Sequence, residues 1–345
     1  MSTIKEVSKH AGVSVSTVSR VVNGTKYVSP EIEKRVKSAI EELNYRPSAF
    51  ARGLRMQKSQ SVGIFLPAIN DGFFCNFANT VEKALYEKGY HPLFCNIEND
   101  IRKESVYVDI LLSQQVDAVI IVPLTPPEDS ADNVQKLLNQ DIPVVMVDRT
   151  IPGMDVSQVL VDNFGGGYEA GSYLLKLGHR HVGVIASEGD QHEGARGPGS
   201  LRIQGIQAAF KDAGVENSLQ IQIKDSASHI ELGYHAIKTL LDRAPQITAI
   251  FALTDQTAVG VYHGANELGL SIPEDISVMG FDNIPLASHI VPQLTTIAQP
   301  IALMGEIATR ILLQHIAEPT IPPESITLNI ELVVRASVKD IRNSF

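Results

Sequence analysis

Two groups of side chains carry chemistry by their type and spacing. The first is the run Val15-Ser16-Thr17-Val18-Ser19-Arg20-Val21-Val22-Asn23. At helical spacing Val18, Val21 and Val22 share one face, leaving Ser16, Thr17, Ser19 and Arg20 on the others. An arginine so placed can bond O6 and N7 of one guanine, worth about 1–3 kcal/mol of discrimination. It can equally hold a phosphate, which positions the protein without reading sequence. Base reading is assigned to Ser16 and Arg20, and phosphate contact to Thr3, Thr17 and Asn23. The second group follows short apolar runs: Asp71, Phe73 and Phe74, then Asp148 and Arg149, then Arg202, Asp255, Asp282 and Gln299. Acids, amides and guanidinium groups beside paired aromatics suit a polyol, because the polar groups bond hydroxyls while the rings cover C–H faces. Plainer roles stay open: Asp255 and Asp282 as helix caps or solvated turns, Phe73 and Phe74 as core, Asp148 and Arg149 as a structural ion pair.

The elements that must position the first group are legible. Thr3-Ile4-Lys5-Glu6 fits a capping box, and Ile4, Val7 and Ala11 recur at the helical period. Gly12 suits a left-handed stop, and Ser14 suits the cap of the second helix. Two short helices around a glycine turn make a helix-turn-helix whose second helix reads bases. Asn23-Gly24 marks a turn. Ser29-Pro30 then opens a third helix, striped by Ile32, Val36, Ala39, Ile40 and Leu43 and stopped at Tyr45-Arg46-Pro47. Charge agrees with this reading. Residues 1–60 hold 11 Lys/Arg against 5 Asp/Glu, whereas the whole chain carries −10. A basic head on an acidic body suits phosphate contact by the head alone.

The second group needs a different scaffold. Apolar runs at Val62–Leu66, Pro92–Cys95, Ala118–Val122 and Val144–Val147 alternate with helical stretches at 76–88, 102–115 and 130–140. A further series runs through Val159–Val161, Val182–Ala186, Leu219–Ile223, Ala249–Leu253 and Ile276–Phe281, with helices near 165–177, 200–213, 230–242 and 256–268. Such alternation implies parallel sheets covered on both faces, whose ligands sit beyond the carboxyl ends of the strands. The fold class expected is an all-α helix-turn-helix head plus an α/β body of two doubly wound lobes. The domains are 1–47 (head), 48–60 (hinge and linker) and 61–345 (effector-binding and dimerisation). Lobe 1 spans about 61–161 and 294–320, and lobe 2 about 162–291 and 323–345.

Thr3-Ile4-Lys5-Glu6-Val7, Ala11-Gly12-Val13-Ser14, Ser16 to Asn23, Tyr45-Arg46-Pro47 and Ala49 to Leu54 closely resemble the head of the lactose-repressor family of bacterial regulators. The resemblance runs to about Arg335. It implies a cytoplasmic homodimeric repressor on operator DNA, with residues 48–55 as a hinge helix and Leu54 as an apolar wedge in a minor-groove step. The first lobe, including the helix near 76–88, is expected to make most of the dimer contact. No heptad tail follows Arg335, so a dimer is expected rather than a tetramer. The body is similar to the family's periplasmic sugar-binding relatives, most of all the ribose type. By that likeness Asp71, Phe73, Phe74, Asp148, Arg149, Arg202, Asp282 and Gln299 are sugar contacts. Thr254 departs from the pattern, since ribose binders carry Asn there. The implied effector is a ribose-like monosaccharide that releases the operator.

Rival readings are weighed on their own residues. Gly165-Gly166-Gly167-Tyr168-Glu169-Ala170 fits a dinucleotide fingerprint, but the segment Asp162 to Gly167 also resembles a helix-packing segment of the family. The head resembles the catabolite-control branch too, whose co-effector is a phosphorylated protein. No zincin, Walker A or nucleophile-elbow motif occurs, so no enzyme, cofactor or metal is expected. His179 and His181 are read as surface residues, and Cys75 and Cys95 as buried free thiols. Hydrophobic residues at 44% exclude a disordered chain. No signal peptide or membrane-spanning run is recognisable.

Overall fold

In the computed structural model, residues 2–23, 26–45, 59–192, 197–224 and 228–342 are described. The chain divides into two compact units, Met1–Gln60 and Ser61–Phe345.

The head holds α1 (Ile4–Ala11), α2 (Val15–Asn23) and α3 (Pro30–Glu42). The capping box is formed: Thr3 Oγ1 accepts from Glu6 N at 3.3 Å, and Glu6 Oε2 accepts from Thr3 N at 2.7 Å. Gly12 ends α1 in the left-handed region at φ 61°, where a side chain is strained and glycine is not. Ser14 Oγ accepts from Thr17 N at 3.1 Å and starts α2. Ser29 precedes α3 but makes no side-chain cap bond, so Pro30 and the first-turn acids Glu31 and Glu33 favour that start. Val7, Ala11, Val18, Val36 and Ala39 form the buried centre, with Val21 and Val22 packed on it. Ser19, expected on an outer face, is buried.

Among the described residues the body contains two six-stranded sheets. In the first lobe β1 (Ser61–Leu66), α4 (Gly72–Tyr86), β2 (His91–Asn96), α5 (Ile101–Ser113), β3 (Ala118–Ile121), α6 (Ala131–Leu138), β4 (Val144–Val147) and β5 (Ser157–Val161) follow in turn. The second lobe follows with α7 (Asn163–Lys176), β6 (Val182–Ser187), α8 (Glu188–His192), α9 (Pro198–Asp212), β7 (Leu219–Lys224), α10 (His229–Arg243), β8 (Ala249–Ala252), α11 (Asp255–Glu267) and β9 (Ser277–Asp282). The chain finishes with β10 (Thr295–Ala298), α12 (Ile301–Ala317), β11 (Ser325–Leu328) and β12 (Glu331–Val333). Strand order is β11-β5-β4-β3-β1-β2 in one sheet and β12-β10-β9-β8-β6-β7 in the other. Every pairing is parallel except β10 with β12. The central strands β3, β4, β8 and β9 are buried along their whole length because helices cover both faces.

Two strands exchange lobes relative to the expected boundaries. β10, expected in lobe 1, pairs with β9 at Thr295–Met279, so the crossing falls after Ala298. β11, expected in lobe 2, pairs with β5 at Ser325–Gln158, and the chain returns only at β12. Helix α12 between them buries Met304, Ala308, Ile311 and Leu312 in the lobe 1 core. Four-residue strands do not declare their sheet by pattern: β11 is an edge strand of alternating burial, and β10, buried at three of its four positions, lies one strand in from the edge. Two further expectations fail. His179 is fully buried, its ring nitrogens meeting Thr248 Oγ1 at 2.8 Å and Lys339 O at 2.9 Å. Cys75 is exposed; only Cys95 is buried, and burial pushes its thiol to about 12.

Candidate functional site

On the head, Thr3, Ser16 and Arg20 are exposed and Thr17 is half-buried. Ser14 Oγ lies 2.7 Å from Ser16 Oγ and 2.8 Å from Thr17 Oγ1, which orients the first turn of α2. Thr3 spends its hydroxyl on the helix cap. The Asn23 side chain and the whole hinge with Leu54 lie outside the described residues.

In the body, the sequence-predicted ligand residues converge from both lobes. Asp71 caps α4, its Oδ1 accepting from Phe73 N at 2.8 Å and Phe74 N at 3.4 Å. That cap fixes the Phe73 and Phe74 rings edge to face at 5.2 Å, both largely buried. Asp148 follows β4 at φ 68° and is 7% exposed. Its carboxylate meets Arg149 Nε only at 3.8 Å. Burial raises its pKa, the Arg149 and Arg202 guanidinium groups lower it, and Asp71 raises it again. Arg149 Nη1 donates to Pro123 O at 3.2 Å.

Arg202, on α9, donates from Nε to Asn163 Oδ1 at 2.8 Å and from Nη1 to Leu253 O at 2.7 Å. Its guanidinium lies 3.8 Å above the Phe281 ring, a cation–π contact. Nη2 stops 3.7 Å from Asp282 Oδ1, beyond hydrogen-bond range. Asp282 ends β9 at φ 111°, a strained geometry for an aspartate. Gln299 Nε2 donates to its Oδ1 at 2.7 Å, and Gln299 Oε1 is buried without a hydrogen-bond partner. Burial pushes the Asp282 carboxyl well up, against the pull of Arg202 and with a further push from Asp255 and Asp71.

Asp255 differs from its expected role. It is fully buried, with Oδ1 accepting from Thr296 Oγ1 at 2.6 Å and Oδ2 from Ile284 N at 2.8 Å. It is a pin for the turn after β9, because both oxygens serve the protein's own chain. Thr254 caps α11 by accepting from Thr257 N at 3.1 Å. A cleft of about 710 Å³ opens between the lobes, lined among others by Asp71, Phe74, Arg149, Ser187, Asp190 and Gln256. Asp148, Arg202, Asp282 and Gln299 are not on that lining but are buried, and charge couples Asp148 and Asp282 to Asp71.

Sequence reasoning missed Asn163, Gln256 and Ile284. Asn163 stands in the Asp162–Gly167 segment that had been read only for its glycines, and Gln256 directly follows Asp255. The glycine segment itself is filled by protein. Asp162 Oδ1 accepts from Gly165 N at 2.8 Å and occupies the helix start that a pyrophosphate needs. A Cβ on Gly166 would stand 2.7 Å from the Phe281 ring, and one on Gly167 2.0 Å from Arg202 O. Among the described residues, no group of three His, Cys, Asp or Glu is placed to hold a metal. No described helix is long and apolar enough to cross a membrane.

A helix-turn-helix head on a two-lobed small-molecule receptor defines a ligand-controlled DNA-binding regulator. The particular family follows from comparison with known proteins. Residues 3–48 match the model of the bacterial regulatory proteins, lacI family, and residues 172–338 match a periplasmic binding protein-like domain. The HTH-type transcriptional repressor PurR of Photorhabdus laumondii is 37% identical over 99% of this chain and 98% of its own. The solved CelR–cellobiose complex is similar at 31% identity and TM-score 0.71, over 98% of this chain and all of that one. A regulator from Enterococcus faecium with bound ribose is similar at 30% identity and TM-score 0.72, over 82% of this chain and all of that one. The chain belongs to the lacI family of bacterial transcriptional regulators.

Proposed function

We propose that the effector is a small sugar of the ribose type, held by Asp148, Arg149, Arg202, Asp282 and Gln299 against Phe73 and Phe74. One observation carries this reading: Gln299 Oε1 is buried without a hydrogen-bond partner, while the same side chain's amide group bonds the buried Asp282 carboxylate. Around it the ion pairs Asp148–Arg149 and Arg202–Asp282 are loose, at 3.8 and 3.7 Å, although Arg202 is otherwise bonded to Asn163 Oδ1 and Leu253 O. A buried polar group left unmatched costs about 1–3 kcal/mol. Sugar hydroxyls both donate and accept, so one polyol donates to Gln299 Oε1 and bridges the two loose ion pairs. The ribose-bound relative adds support. Because Thr254 uses its hydroxyl on a helix cap, a pentose other than ribose fits the reading equally.

The sugar acts on a cytoplasmic homodimer with no enzymatic activity. Its two heads read half-sites in adjacent major grooves. Ser16 and Arg20 contact bases, Thr17 and Asn23 contact phosphate, Thr3 does so only by turning its hydroxyl from Glu6 to a phosphate oxygen, and Leu54 wedges the central step. Sugar binding changes the lobe angle and releases the operator, by no more than the ratio of its affinities for the two arrangements.

The test is thermal unfolding of the full chain with D-ribose, other pentoses, hexoses and their phosphates. A ligand of the folded body raises the melting temperature with concentration. Arg202→Ala and Asp282→Ala should each abolish that rise while operator binding persists. If no sugar moves the melting temperature, or if a phosphorylated carrier protein alone does, the reading is wrong.

A further inference from the structure

Asp71 and Gln256 stand on opposite lobes. Asp71 precedes α4 in the first, and Gln256 is the second residue of α11 in the second. With its carboxamide turned to satisfy both neighbours, Gln256 Nε2 donates to Asp71 Oδ2 at 2.9 Å and Oε1 accepts from Gly72 N at 3.0 Å. A second contact reinforces this one. Ile284, from the turn after β9, presses on Gly72, where a Cβ would lie 2.8 Å from Ile284 Cδ1. Ile284 is buried within the apolar core of the first lobe although its backbone belongs to the second. Its N–H is held by Asp255, the residue before Gln256, and it lies two residues beyond Asp282.

We infer that Gln256 is a positioning residue that clamps the start of α4 to the second lobe. Each Asp71 oxygen is engaged, one by the α4 cap and the other by Gln256. Asp71 thereby joins the start of α4 to the closure of the lobes. The ligand carboxylate Asp282 and the cross-lobe contact Ile284 share one turn, so filling the site and closing the lobes are mechanically one event. The clamp depends on the lobes and not on which ligand they take, so it stands apart from the ribose reading.

Residue-resolved hydrogen exchange on the ligand-free full chain tests it. The Gly72 amide should be protected in the native protein. Gln256→Ala removes both bonds, and Gln256→Glu sets a carboxylate against Asp71. Each should speed Gly72 exchange by about tenfold or more, as expected when the bonds closing a local opening are lost. Phe73 and Phe74 amides, capped by Asp71 Oδ1, should stay protected and report that α4 is folded. The double change Asp71→Asn with Gln256→Glu reverses the polarity of the pair. The new amide donates to the new carboxylate, which still accepts from Gly72, so protection should return. Free exchange at Gly72 in the native protein overturns the clamp. So does retained protection in Gln256→Ala, or a double variant no slower than the worse single one.

Discussion

Gly167→Ala separates packing from nucleotide binding at the glycine-rich turn. A Cβ at this position would sit 2.0 Å from Arg202 O and 2.9 Å from Arg202 Cα, both backbone atoms that no rotamer can move. A carbon–oxygen contact needs about 3.3 Å, so α7 and α9 must part by roughly 1 Å. Overpacking of this kind costs about 1–3 kcal/mol. At roughly 2–4 °C per kcal/mol for a large domain, the melting temperature should fall by about 2–12 °C. The displacement also reaches the site. Arg202 would leave Asn163 Oδ1 and Leu253 O, now 2.8 and 2.7 Å away. Hydrogen bonds from charged groups are worth about 1.5–3 kcal/mol, so sugar affinity should drop by tenfold or more. Thermal unfolding with calorimetric titration of sugar reads both quantities. An unchanged melting temperature with unchanged sugar affinity would refute the close-packing argument. Loss of NAD affinity from a fully stable protein would revive the dinucleotide reading.

Two other perturbations follow from the same geometry. Arg20→Ala should cost the selected operator about 1–3 kcal/mol per half-site in anisotropy titrations and leave random DNA nearly unaffected; equal losses would make Arg20 a phosphate contact. Burial raises the Asp255 pKa from 3.8 to about 7, opposed by its bonds to Thr296 and Ile284 and by Arg335. Such an acid stays protonated when folded and ionises when unfolded. The native state then binds more protons, and stability falls as pH rises between about 4 and 7, by up to about 1.4 kcal/mol per unit. Asp255→Asn should flatten that slope in urea unfolding, with Asp148 and Asp282 supplying what remains. An unaltered slope would remove Asp255 from the account.

The head was readable because its signals are local. Thr3 with Glu6, and Gly12, act within a turn of their own positions, and the valines of α2 show their face by spacing alone. The central strands were readable for a related reason: burial on both faces demands unbroken apolar runs such as Val144–Val147. What the sequence hid depends on neighbours distant along the chain. β10 and β11 are short, and their sheets were decided by pairing with β9 and β5. Asp255 has the residue type of a ligand contact, yet Thr296 and Ile284 claim its oxygens. Gln256 carries no signature at all, since its partner is 185 positions earlier in sequence. Cys75 and His179 show the same limit, because apolar or polar surroundings in sequence do not report exposure in space.

The most direct test is the affinity of the full chain for a duplex selected from a random pool, titrated at fixed salt with and without the sugar that stabilises the body. A marked preference for one near-palindromic duplex is expected in the absence of sugar, weakened by about tenfold or more when the sugar saturates the site. A chain that prefers no duplex under any ligand condition, or whose preference ignores a sugar that demonstrably binds, would contradict that expectation.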